Sequence, residues 1–303
     1  MLQSPRKALY TGAFLLPSLR KQRIPALLLL PRLCKRYLLV PLLAFSFPFL
    51  APAYGRAPAV VAPTEVVQVR HALDGDSIVL MDGRQVRLLG VNTPEIDPSS
   101  HRGGHDKPRA VTPQPLAREA QRFTAARVDG QTVTLHFETE RVDRYQRLLA
   151  HVTLADGTRL EEALLRAGLG WMVAISPNVN ELARLQAAEV EARAARRGVW
   201  EKTEYRPVAA ERLTTKDGGF LILTGTVRSF RQSSHAYYFE LTSRVSLLVP
   251  RGEWKRYFAA PAGPYATPQT LVGLKIVARG WANAHEGRLR LRLTHPAMLT
   301  SPE

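Results

Sequence analysis

Leu73-Asp-Gly-Asp-Ser-Ile-Val-Leu-Met-Asp-Gly-Arg-Gln-Val-Arg-Leu-Leu-Gly-Val-Asn-Thr-Pro-Glu95 is the stretch that decides how this chain is read. Ser77 to Met81 is β-branched and apolar, Asp82-Gly83 is a strong hairpin-turn pair, and Val86 to Val91 reads as the return strand. A two-residue Asp82-Gly83 loop sets Met81 opposite Arg84, Ile78 opposite Arg87 and Asp76 opposite Leu89. Facing residues point to the same side of a sheet, which makes Asp76 and Arg87 diagonal neighbours on one face. The far end of the hairpin then brings Asp74 to Asp76 alongside Gly90 to Thr93.

These residue types suit a particular chemistry. Asp76, the side-chain oxygen of Asn92 and a backbone carbonyl near Thr93 are hard oxygen donors for a cation. Arg87 suits a phosphate, and Glu95 is placed to orient a water. Metal-assisted phosphodiester cleavage needs that combination. Each residue also has an ordinary structural reading. Asp74-Gly75 is a turn signal, Arg87 a strand surface charge, and Thr93-Pro94 a good helix start. Strand alternation points the Asp74 side chain away from Asp76.

Outward from the hairpin, Val66 to His71 reads as a preceding strand. Residues 97–115 are rich in Pro, Gly and His and read as a loop. His101 and His105 have a zinc-like spacing only on a helix, and Gly103-Gly104 argues against one. Leu116 to Arg127 reads as a helix, Thr132 to Phe137 and Arg147 to Leu154 as strands, and Leu160 to Ala167 as a helix closed by Gly168. Asn180 is a candidate cap for a helix running to Arg197, with Gly198 beyond it. The pattern predicts an α+β fold, mainly β: a five-stranded barrel dressed with about three helices.

Residues 202–216 are charged and read as a linker. Strand-like runs at 219–229, 236–242, 245–249, 271–280 and 288–294 predict a second small β-barrel-like domain over 217–303. In Arg288-Leu-Arg-Leu-Arg-Leu293, alternation puts Arg288, Arg290 and Arg292 on one face and the leucines on the core face. Basic strands with nearby aromatics fit a nucleic-acid grip. A structural cap and a surface for anionic envelope components are the alternatives.

The 303 residues suit about two ordinary domains. The net charge of +16 is unevenly spread. Residues 1–53 hold eight Lys/Arg and no Asp/Glu, 54–214 are nearly neutral, and 215–303 carry 12 basic against 5 acidic residues. A basic end favours polyanionic partners. The single cysteine, Cys34, excludes an intrachain disulfide and a cysteine-based zinc site. Lys35-Arg36, the apolar run Tyr37 to Leu50 and Ala51-Pro-Ala53 read as a signal peptide, with cleavage near Ala53 and a secreted or periplasmic destination. Residues 54–65 are a Pro/Ala-rich lead-in.

Several motifs in order carry a family resemblance over about residues 66–201. They are Asp74-Gly-Asp-Ser77, Arg87-Leu-Leu-Gly-Val-Asn-Thr-Pro-Glu95, Gln114-Pro-Leu-Ala-Arg-Glu-Ala120, Asp143-Arg-Tyr-Gln-Arg-Leu-Leu-Ala150, Pro177-Asn178 and Gly198-Val-Trp200. This region resembles the staphylococcal nuclease family. The resemblance implies an OB-fold barrel and a calcium-dependent phosphodiesterase acting on DNA and RNA. It makes Asp76 a calcium ligand, with Thr93 ligating through its carbonyl and Asn92 at the second acidic position. It assigns Arg87 and Arg147 to the scissile phosphate, Glu95 to the attacking water, and Arg144 and Tyr145 to the nucleotide. Arg288, Arg290 and Arg292 are added as candidate substrate contacts. A monomer with no stable membrane association after signal removal is expected.

Three positions depart from the family pattern. Asn92 replaces a carboxylate, which removes one charge from the metal site and leaves room for another divalent ion. Gln146 replaces a glycine before Arg147, and Val173 stands where a tyrosine is usual.

Overall fold

The computed structural model describes residues 63–97, 112–261 and 263–302. The segment expected as a signal peptide, Cys34, the lead-in up to residue 62, and His101 and His105 lie outside them. The described residues belong to one compact unit, 58–303. No helix among them is long and apolar enough to cross a membrane.

The first half builds a closed barrel from β1 (Thr64–Ala72), β2 (Ser77–Leu80), β3 (Gln85–Leu88), β6 (Leu148–Thr153) and β5 (Thr132–Val142), in that order, with β5 returning to β1. Strand alternation fills it. Val69, Ile78, Val86, Leu135, Ala150 and Val152 are fully buried. Helix α1 (Ala117–Val128) packs on β1, and α2 (Leu160–Arg166) packs against α3 (Leu182–Ala194). The Asn180 cap is not formed. Glu181 takes the capping position of helix α3 without a side-chain cap bond, and the Asn180 N–H donates to the Glu138 carboxylate at 3.1 Å. Short β4 (Val91–Asn92) pairs with β7 (Trp171–Met172) beside the barrel.

The central hairpin differs from its expected register by one residue. Ser77 faces Arg87, Ile78 faces Val86 and Val79 faces Gln85. The loop has three residues, Met81-Asp82-Gly83, with Gly83 at φ 91° supplying the left-handed residue that such a loop needs. A one-residue slip exchanges faces, so strand pairing does not join Asp76 to Arg87. They meet nonetheless, at 3.1 Å, because Asp76 lies in the bend before β2 and is free of strand alternation.

The second sheet runs β10 (Ser229–Gln232), β11 (Ala236–Glu240), β12 (Val245–Pro250), β14 (Arg288–Arg292), β13 (Lys275–His285), β9 (Gly219–Thr226), β8 (Val208–Ala209), and β15 (Leu299–Thr300) also pairs with β13. It is an open run ending at β8 and β10, where the sequence pointed to a small barrel. Residues 202–216, expected as a linker, contain β8, which pairs in parallel with β9, and bury Ala210 and Leu213.

The two halves meet along a polar and aromatic seam. Glu189 on α3 receives both Arg279 Nη1 and Nη2 at 2.7 Å, and its Oε1 also accepts the Met172 N–H at 2.7 Å. Thr294 donates to the Ala174 carbonyl at 2.9 Å. Trp171 packs against Tyr205 and Phe220, with ring centroids 4.8 and 5.4 Å apart, and Phe220 continues to Trp281 at 5.2 Å.

Candidate active site

Asp76 is the hub of the first cluster. Its Oδ2 accepts the Thr93 N–H at 2.7 Å and pairs with Arg87 Nη2 at 3.1 Å, and its Oδ1 accepts the Ser77 hydroxyl at 3.2 Å. Asp74 does not point away. Its Oδ1 curls back to accept the Asp76 N–H at 3.1 Å, an Asx-type turn that follows from the bend at Gly75. Gly75 itself leaves no room for a side chain, since a Cβ there would lie 2.7 Å from Ala120 and from Thr93. The glycine thus lets the acidic bend press against α1 and the Thr93 segment together.

Arg87 leaves β3 and turns its guanidinium into the protein. Nη1 donates to the Leu88 and Val91 carbonyls at 2.8 Å each, and Nη2 donates to Asn92 Oδ1 at 3.0 Å. Asn92 and Thr93 are buried and are linked to Asp76, Thr93 through its N–H and Asn92 through the shared Arg87 Nη2. No helix starts at Thr93. Residues 93–97 are irregular, and Glu95 is held through its backbone: its N–H donates to Gln114 Oε1 at 2.7 Å, and its carbonyl accepts the Gln114 N–H at 3.0 Å.

The Glu95 carboxyl is pushed up to about 8 by burial, by the negative charges of Asp76 and Asp74, and against the opposing pull of Arg87 and Arg147. Asp74 is likewise raised above the usual carboxylate range, by burial and then by Asp76. Acidic groups are crowded here beyond what the two arginines neutralise. Among the described residues, no three His, Cys, Asp or Glu side chains gather into a ready metal cage.

Arg147 comes from the turn between β5 and β6. Asp143 organises that turn, accepting the Tyr145 and Arg147 N–H groups and holding the Arg147 guanidinium at 2.8–2.9 Å. Gln146 adopts the left-handed conformation, φ 65°, that its glycine-like position demands, so Arg147 keeps its place at a backbone cost. Arg144 lies over the exposed Tyr145 ring, 4.7 Å from its centroid, and donates to its hydroxyl at 2.7 Å. Val173 is aliphatic and buried, so this position offers a ligand neither a ring nor an exposed surface.

Arg87, Asn92, Glu95, Arg144, Tyr145 and Arg147 all line one cleft of about 900 Å³. The three arginines of β14 are separated by the structure. Arg292 lines this cleft, whereas Arg288 pairs with Glu240 at 3.2 Å and Arg290 with Glu286 at 2.8 Å. Gln114 and Asp143 are positioning residues the motif reading passed over. Both sit inside quoted motifs, but their partners become visible only in three dimensions.

A closed five-stranded barrel with two arginines and a half-buried glutamate converging on one cleft, beside an acidic bend, defines a nuclease-like OB-fold protein. The family described as Staphylococcal nuclease homologue matches residues 85–202. The thermonuclease of Staphylococcus hyicus is 32% identical over 142 residues, covering 46% of this chain and 78% of the relative. Endonuclease YncB of Bacillus subtilis is 32% identical over 144 residues, 46% of this chain and 63% of the relative. An uncharacterised endonuclease of Escherichia coli O157:H7 is 29% identical over 177 residues, 57% and 94%. The chain belongs to the staphylococcal nuclease homologue family.

Proposed function

We propose that this protein is a divalent-metal-dependent nuclease that hydrolyses phosphodiester bonds of DNA and RNA with little sequence preference. The convergence of Arg87, Arg147 and Glu95 on one cleft, beside the Asp76–Asn92–Thr93 oxygen cluster, carries the reading.

The donor set fits a hard cation that keeps part of its water, because one or two carboxylates and neutral oxygens suffice for such an ion. Asp76, Asn92 Oδ1 and the Thr93 carbonyl are the residues to hold it, and calcium is the family's ion. When bound, it supplies charge neutralisation and Lewis acidity at the phosphate. The chain's own groups do the rest. Arg87 and Arg147 bind the scissile phosphate and stabilise the negative charge that grows on its oxygens. Glu95 Oε orients the attacking water and takes its proton. A carboxylate of raised basicity is a stronger proton acceptor once ionised. Gln114 fixes the Glu95 backbone, and Asp143 fixes the turn that presents Arg147. Arg144 and Tyr145 flank the nucleotide.

The test is cleavage of DNA and RNA by purified protein with EDTA, Ca²⁺, Mg²⁺ or Mn²⁺. Cleavage with a divalent ion and none in EDTA is expected, and no cleavage with any ion overturns the reading. Arg147→Ala should lower turnover by about 10²–10³-fold with the fold intact, and Arg87→Ala should do so while also destabilising the protein, because it leaves Asp76 buried and uncompensated.

A second reading has its own observation. Asn92 Oδ1 is already engaged by Arg87, and an amide offers a cation no charge. A catalytically weakened nucleic-acid-binding protein would have such a site. Cleavage by Asn92→Asp alone, and not by the natural chain, would establish that reading. We also propose export through residues 1–53, supported by their sequence pattern. N-terminal sequencing of the mature protein should begin near residue 54.

A further inference from the structure

The cleft has a second wall, built by residues beyond the family match. It is contributed by the segment around Arg206, by Lys216 and Phe220, and by Trp281 and Arg292 on β13 and β14. Arg206, Lys216 and Arg292 are exposed and have no carboxylate within ion-pair distance among the described residues. Arg212, Arg244, Lys255, Arg256 and Lys275 are also exposed without an ion pair among the described residues, but none of them lines the cleft. Arg228, Arg231 and Arg288 are engaged by Glu211 and Glu240. Unpaired cations gathered on a concave wall raise the local concentration of polyanions. Glu140, Asp143 and Glu204 also line the cleft, but Asp143 is committed to Arg147.

Rings complete the wall. Phe220 and Trp281 are only partly buried and continue the aromatic row that begins at Trp171. Base faces stack on such rings when they are free of a duplex. The wall is also preformed. The buried Arg279–Glu189 pair and the Thr294–Ala174 hydrogen bond fasten it to α3 and to the segment after β7.

We propose that this second wall is a single-strand polynucleotide subsite. Arg206, Lys216 and Arg292 hold phosphates flanking the scissile one, and Phe220 and Trp281 stack their bases. The inference takes from the nuclease reading only the position of the scissile phosphate, at Arg87 and Arg147. Of the three β14 arginines, it assigns Arg292 alone to the substrate.

The test is fluorescence anisotropy of a labelled twelve-nucleotide oligothymidylate over a salt series in EDTA, using the full chain and the variant R206A/K216A/R292A. Each phosphate contact on a single strand contributes roughly 0.7 to the log–log salt slope. The slope should therefore fall by about 2 in the variant, and a slope equal to the natural chain's overturns the phosphate assignment. The conservative R206K/R292K variant should retain the slope, whereas its loss there would mark the arginines as structural. Trp281→Ala should weaken single-strand binding by about fivefold or more. Equal affinity for a blunt duplex of the same length overturns the stacking part. Cleavage by the natural chain is scored separately. Cleavage with an unchanged variant slope refutes this subsite alone, and a reduced slope without cleavage refutes the nuclease reading alone.

Discussion

His151 makes the stability of this protein depend on pH in a direction that can be worked out. Its ring lies inside the protein between two carboxylates, with Nδ1 2.8 Å from Glu161 and Nε2 2.9 Å from Glu138. Glu161 is fully buried and also accepts the Val152 N–H at 3.0 Å. Burial alone disfavours the imidazolium, but the two carboxylates outweigh it and raise the His151 pKa from 6.5 to about 9. The folded state therefore holds a proton that the unfolded chain releases near 6.5. The contribution is fully present below that pH and is lost as the pH climbs to about 9. A shift of that size corresponds to about 3 kcal/mol, a substantial part of the 5–15 kcal/mol typical of a folded domain.

Urea unfolding of the natural chain and of His151→Gln at pH 6, 7.5 and 9.5 measures it. Glutamine fits the space but cannot carry the charge that holds two carboxylates together. Glu95, with its raised pKa of about 8, makes stability fall with pH in the same direction, from its unfolded value near 4.5 up to about 8. Only the difference between the two proteins isolates His151. That difference should be about 3 kcal/mol larger at pH 6 than at pH 9.5. A difference independent of pH would show that folding leaves the His151 pKa unchanged, and would refute the reasoning.

Arg279→Met should destabilise by about 3–5 kcal/mol, because it leaves Glu189 buried and uncompensated. The double change Arg279→Met with Glu189→Met should cost less than the two single changes summed, as a denaturation cycle would reveal. Gly75→Ala should cost about 1–3 kcal/mol by forcing Ala120 or Thr93 aside, and it should weaken metal-dependent protection from unfolding. Gln146→Gly should stabilise by up to about 1 kcal/mol, since it removes a left-handed glutamine at the cost of glycine's greater chain entropy. A melting temperature unchanged or lowered in that variant would place the strain elsewhere.

Local rules made much of this molecule readable. The apolar run of β2, the alternation of β3 and β14 and the glycine closing α2 all appear where short-range chemistry puts them. The hairpin shows the limit of such rules. Asp82-Gly83 signals a turn whether the loop has two residues or three, and only the position of the left-handed glycine in the folded strand pair sets the register. The Asp76–Arg87 contact was thus expected from pairing that does not occur, and is made by an irregular bend instead. Residues 202–216 look solvated because β8 is just two residues long and takes its partner from β9, which a charge pattern does not announce. His151, Glu138 and Glu161 lie on three separate elements, as do Arg279 and Glu189 on two. Nothing local distinguishes those residues from ordinary surface charges.

The seam between α3, β7 and the second sheet bears on how this protein can be divided. Trp171, Met172, Val173 and Ala174 are all buried, and their cover includes Phe220, Arg279, Thr294 and Met298. A fragment cut where the family match ends, at residue 202, would lose that cover and expose the apolar strip beneath it, with Glu189 stripped of its arginine. The barrel of this chain is therefore not interchangeable with that of a relative lacking the second sheet. Inheritance of the sheet obliges the barrel to keep a dry face, and loss of the sheet would require that face to be resurfaced residue by residue.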